Sequence, residues 1–140
     1  MTRKPLLIFL LTLFLTTLQV QWASPADSYS YDAGTLSVLS PEVLGAYPGV
    51  LLLFLLAVFA RRQIPLLRQA AIGTGLLAVY WLLANYITFD ARVASWSTYT
   101  PLEIWGQVLP ASLFSIAICG IAHFSASWLI LRQTRGKKNH

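Results

Sequence analysis

The sequence predicts an all-α integral membrane protein, a bundle of four transmembrane helices with both termini in the cytoplasm and a short interfacial helix before the last span. Three observations predict it. The chain is 56% hydrophobic and only 11% charged, against about 25% charged in an ordinary soluble domain. Its apolar residues gather in four stretches, 6–22, 43–60, 70–89 and 110–131, none of which contains Asp, Glu, Lys or Arg. Each approaches or reaches the roughly 17 to 25 residues that a helix needs to cross a bilayer. The charges, finally, divide between alternate connections. Residues 1–140 then form a single transmembrane domain, with outer loops 23–42 and 90–109, a cytoplasmic loop 61–69 and a cytoplasmic tail 132–140.

The formal charge of +5 is explained by topology and not by a nucleic-acid patch. Arg3 and Lys4 precede the first stretch, Arg61, Arg62 and Arg68 follow the second, and Arg132, Arg135, Lys137 and Lys138 follow the fourth. The other side carries Arg92 together with Asp27, Asp32, Glu42, Asp90 and Glu103. The positive-inside rule puts the basic side in the cytoplasm, and the expected location is a bacterial cytoplasmic (inner) membrane.

The first stretch has two readings. Arg3 and Lys4 followed by the apolar run 6–20 fit a secretory signal peptide, with a small-residue cut after Ala26. Trp22 is a good interfacial anchor and Pro25 a poor neighbour for a scissile bond, which favours a retained helix. Cleavage would leave three spans and an outside N-terminus.

After it, residues 23–40 carry Ser, Tyr, Asp, Pro and Gly without periodicity and read as a loop. Ser40, Pro41 and Glu42 then supply a cap oxygen, a proline for the first helical position and an acid at the positive end of the dipole, so the second helix starts there. Pro65 sits in the short turn 61–69, which makes the second and third helices antiparallel neighbours.

Thr100, Pro101 and Glu103 form a capping box at the start of the last helix. Pro110 lacks an amide proton and crowds the carbonyl four residues earlier, so a break is expected there, leaving a short interfacial helix over 101–109. Trp96, Tyr99 and Trp105 gather around it as outer interfacial contacts, suited to the headgroup level as Trp22 and Tyr47 are at the other outer ends. The runs Glu42-Val43-Leu44-Gly45 then Pro48, and Glu103-Ile104-Trp105-Gly106 then Pro110, fit a duplicated hairpin. Convergence on what any helix needs when it enters a membrane from that side is the simpler account of them.

Among residues that carry chemistry, His123 stands out, since it falls near the centre of the last stretch, where ionisable groups are costly. No cofactor site is read from the sequence; His123 is only a weak candidate, as a haem ligand, and the favoured reading is structural. A second imidazole is available only from His140 at the chain's end, so haem requires a ligand from another chain. The structural reading is a neutral histidine bonded to a carbonyl or hydroxyl in the bundle. Cys119 lies four residues before it on the same face, but no carboxylate on any stretch completes a metal shell, and no metal or other cofactor is expected.

Small residues mark the expected contact faces. Ala111, Ser115, Cys119, Ala122 and Ala126 form one stripe on the last helix, and Ala71, Gly75 and Ala78 another on the third, suited to close helix approach within the chain or with a partner. Asn85 is expected to hydrogen-bond across such a contact.

A proton-coupled carrier usually exposes a membrane carboxylate, and none exists here. No nucleophile dyad and no phosphate-cradling loop is legible, so nothing marks an enzyme. Three readings follow. The chain is a non-catalytic accessory or assembly subunit of a larger membrane complex, or a small oligomeric channel or lipid-linked carrier, or a redox-enzyme membrane anchor using His123. Its partners are the bilayer and either other membrane subunits or further copies of itself.

Overall fold

The computed structural model describes residues 3–23, 41–59, 64–93 and 99–133. They form four helices: α1 (Arg3–Ala23), α2 (Pro41–Phe59), α3 (Leu66–Val93) and α4 (Pro101–Arg132). Three are long and apolar enough to cross a membrane, over Lys4–Ala23, Leu66–Ala91 and Pro101–Arg132, and α2 carries a shorter apolar stretch, Val43–Leu55.

Local chemistry sets the starts. Thr100 Oγ1 accepts the Glu103 amide proton at 3.4 Å while Glu103 Oε2 accepts the Thr100 amide proton at 2.7 Å, a reciprocal capping box with Pro101 behind it. Two of the amide protons left over at a helix start are satisfied in this way. At α3 the carbonyl of Pro65 accepts the amide proton of Gln69 at 2.9 Å. Ser40, the expected cap of α2, lies outside the described residues, as do most of loop 23–42, the turn residues Arg61 to Gln63, Trp96, and residues 134–140 of the tail.

One expectation is corrected. α4 runs from Pro101 to Arg132 with Pro110 inside it, so residues 101–109 are its first turns and not a separate interfacial helix. Proline removes one hydrogen bond of the ladder. The residue whose carbonyl it crowds is Gly106, where a built Cβ would meet nothing within 4 Å, and the capping box holds the turns before it.

Contacts between helices fix their sense. Phe9 meets Phe54 with ring centroids 4.8 Å apart, and Thr17 meets Tyr47, so α1 and α2 are antiparallel. Thr12 meets His123 and Trp22 meets Phe114, so α1 and α4 are antiparallel too. Thr74 to His123, Asn85 to Ser112 and Tyr86 to Trp105 repeat the pattern for α3 and α4, the most extensive contact of the bundle. α1 and α3 therefore begin at the end where α2 and α4 finish.

The bundle buries polar groups beside apolar ones and exposes large hydrophobic side chains. Thr16, Gln19, Ser112, Ser115, His123 and Ser127 are buried, whereas Leu10, Phe14, Leu76, Val79, Ile87, Phe114 and Ile121 are exposed. In water that outer surface would be a continuous apolar patch far beyond what soluble monomers expose. In lipid it is the solvated face, and burying hydroxyls and amides provides the interhelical hydrogen bonds that lipid cannot. An apolar cluster of Leu15, Val50, Leu77, Trp81 and Cys119 sits at the centre, where all four helices meet.

Candidate functional site

His123 is buried on α4 between α1 and α3. Its Nε2 lies 3.1 Å from Thr12 Oγ1 and its Nδ1 2.8 Å from Thr74 Oγ1. The hydroxyl of Thr12 donates to the Ile8 carbonyl at 2.7 Å, and a hydroxyl has a single proton to give. Thr12 must therefore accept from His123, which places the ring hydrogen on Nε2. Nδ1 of the neutral ring then accepts from Thr74. The network thus assigns the tautomer and leaves neither ring nitrogen free.

Further polar pairs continue outward from this triad. Trp81 Nε1 donates to Thr16 Oγ1 at 3.0 Å. Asn85 Nδ2 donates to Ser112 Oγ at 2.9 Å, and Ser115 Oγ donates to the Ser112 carbonyl at 3.0 Å. On the α2 side Thr17 gives its proton to the Leu13 carbonyl, so the Tyr47 hydroxyl 3.0 Å away donates to Thr17. Gln19 is 0% exposed, and neither atom of its amide finds a hydrogen-bond partner among the described residues.

The predicted contact residues divide. Ser115 and Cys119 are buried, Ala126 and Ala78 are half-buried, and Ala71, Gly75, Ala111 and Ala122 are exposed. The small stripe of α4 therefore straddles the edge of the buried face: Ser115 and Cys119 lie within it, and Ala111 and Ala122 outside it. Cys119 packs in the central apolar cluster, and among the described residues no group of three His, Cys, Asp or Glu comes together. Asn85 on α3 donates to Ser112 on α4. Trp105 is half-buried with its ring 4.6 Å from that of Tyr86, and exposed Tyr99 lies 6.4 Å from Phe89.

Thr12, Thr16, Thr74, Ser112 and Ser127 belong to the site without having been singled out by their sequence. A signal for them was present: Thr12, Thr16 and Gln19 follow one another by four and three residues, and Ser112, Ser115, Cys119, His123 and Ser127 by three, four, four and four. That is the spacing of one helix face. It marks a polar seam down α1 and α4.

A double-mutant cycle of His123→Leu and Thr74→Val tests the triad. The expected coupling is between about 0.6 and 1.7 kcal/mol, the range for hydrogen bonds between membrane helices, read from unfolding in mixed micelles. Strict additivity would mean that the pair does not bond in the membrane.

Beside His123 lies a cavity of about 80 Å³, lined mostly by apolar residues such as Ile8, Val50 and Phe54, with Thr12, Gln69 and Ser127 the further polar groups in its wall. The Ser127 hydroxyl is buried and has no hydrogen-bond partner among the described residues. Against known proteins, the chain matches no family model, no curated protein and no solved structure.

Proposed function

We propose that the chain is a four-span protein of a bacterial cytoplasmic membrane, with both termini inside, and that it serves as a non-catalytic accessory or assembly subunit of a larger membrane complex. The observation that carries this reading is the use made of His123. The ionisable side chain at the heart of the bundle has both nitrogens engaged by threonines of its own chain. Trp81 and Asn85 are likewise spent on neighbouring helices. Polar groups used in this way hold helices in register. The described charges lie near the helix ends, away from the interior. On the outside, Ala71 and Gly75 are exposed one turn apart, and a Cβ built at Gly75 would meet nothing within 4 Å. Such a face allows another helix to approach closely.

The reading is tested by mass spectrometry of whatever co-purifies with a C-terminally tagged copy, expressed at native level and extracted in mild detergent. A stoichiometric set of larger membrane subunits is expected. A clean homo-oligomer would overturn the accessory role and favour the second reading, a small oligomeric channel or lipid-linked carrier, which the cavity beside His123 supports. That sample would then go to a flux assay in liposomes. The redox-anchor reading requires one nitrogen of His123 to be released from Thr12 or Thr74 before it can bind iron.

A further inference from the structure

We propose that the cavity beside His123 is a one-ended aqueous vestibule, holding a small cluster of water that reaches the imidazole from the end where α1 and α3 begin. The proposal does not depend on the accessory role, because it concerns the interior of the single chain.

The walls place it. Gln69 lies in the first turn of α3 and Leu131 at the last turn of α4, and both line the cavity, so it extends to that end of the bundle. Exposed Arg68 and Arg132 stand at the same end. At the other end Val50 and Leu77 form the floor, and they belong to the central cluster with Leu15, Trp81 and Cys119. The cavity thus reaches toward the basic end of the bundle, with Gln69 the polar group nearest that end, and closes on an apolar floor.

The volume and four polar groups set in a mostly apolar lining, Thr12, Gln69, His123 and Ser127, argue for water as the occupant. One water needs about 10–15 Å³ of such space together with two to four polar partners, and the cavity offers about 80 Å³. An all-apolar cavity would stay dry. Here Ser127 supplies a hydroxyl that is 3% exposed and has no partner among the described residues. Helical serines commonly return that proton to a carbonyl three or four residues earlier. Ser115 does so and Ser127 does not, which leaves its hydroxyl free to donate and to accept. Thr12 Oγ1 keeps one lone pair after accepting from His123 and donating to Ile8. Gln69 adds an amide nearer the mouth. Water among these groups completes bonds that the protein leaves open, and it ends at the His123 ring.

Solid-state NMR in lipid bilayers tests this on the full chain. In a His140→Gln background His123 is the only histidine, so ring-labelled histidine reports it directly. Magnetisation started on water should reach the His123 ring at mixing times that leave the Trp81 indole N–H, beyond the floor, without signal. The Trp81 resonance is identified by its loss in Trp81→Phe. Ser127→Leu, which fills the cavity and removes the free hydroxyl, should abolish the transfer to His123. Gln69→Leu at the mouth provides the same test should Ser127→Leu fail to fold. Absence of water transfer in the parent, transfer from lipid chains in its place, or transfer undiminished by both substitutions would overturn the proposal.

Discussion

Trp81→Ala is expected to destabilise the bundle by about 3 kcal/mol, the low end of the range for deleting a buried tryptophan. Among the described residues Trp81 is the largest side chain with no exposure at all, and it packs in the central cluster with residues of α1, α2 and α4. In lipid the unfolded helices are not exposed to water as a soluble chain is, so less is lost through transfer. What remains is the unfilled cavity and the dispersion contacts of the ring. Trp81→Phe keeps most of the volume and gives up the bond to Thr16, and it should cost under about 1.5 kcal/mol. Unfolding followed by far-ultraviolet circular dichroism during detergent titration separates the two. Equal losses would make the hydrogen bond the main contribution of Trp81, and a loss below about 1 kcal/mol for alanine would contradict four-helix packing at its ring.

The second large effect reverses a helix rule. Alanine normally improves a helix over glycine by about 1 kcal/mol, yet Gly49→Ala is expected to destabilise this one by about 1 to 3 kcal/mol. A Cβ at Gly49 would overlap the ring of Tyr80. That ring cannot move away freely, because its hydroxyl donates to the Ala46 carbonyl at 2.6 Å. Glycine at this point is what lets α3 lay an aromatic ring directly on the backbone of α2. Gly45→Ala in the same helix is the control, since nothing lies within 4 Å of a Cβ there, and it should be neutral or stabilising. Adding Tyr80→Leu should recover most of the loss in Gly49→Ala. Equal behaviour of the two alanine variants, in the same detergent titration, would mean that α2 and α3 do not approach closely at Tyr80.

Much of the architecture follows from local sequence. The starts at Pro41 and Pro101, and the box formed by Thr100 and Glu103, depend on residues within one turn of each other. Helix sense around the short 61–69 connection is a matter of chain length. Pro110 shows the limit of such rules, because proline's cost is a free energy to be outweighed and not a prohibition. With a strong cap before it and Gly106 at the crowded carbonyl, one lost hydrogen bond does not divide α4.

The candidate site was legible only in part. His123 is conspicuous in the sequence because an ionisable residue in an apolar run is rare, and Asn85 and Cys119 for similar reasons. Thr12 and Thr74 are not, since threonines are common in such helices and usually satisfy their own backbone. Only proximity across 111 residues of chain makes Thr12 a partner of His123. The same holds for Ser127, whose unpartnered hydroxyl depends on what surrounds it. Residue size alone placed the small stripe of α4, and the bundle divided it, burying Ser115 and Cys119 and leaving Ala111 and Ala122 exposed.

By itself the sequence determined the class of the protein: four helices, apolar enough in three cases to cross a membrane on their described lengths, with charge kept to their ends. That much rests on composition along the chain and on interactions within a turn. Tertiary structure decided which face of each helix turns inward. Lipid is as apolar as leucine, so a helix apolar all round has no preferred face to hide. The choice falls to the few groups that gain by meeting one another: His123 with Thr12 and Thr74, Trp81 with Thr16, and Tyr80 with the backbone beside Gly49. The one-face spacing of polar residues marks a seam on α1 and α4, but which groups meet across the helices depends on three-dimensional proximity, which that spacing does not encode.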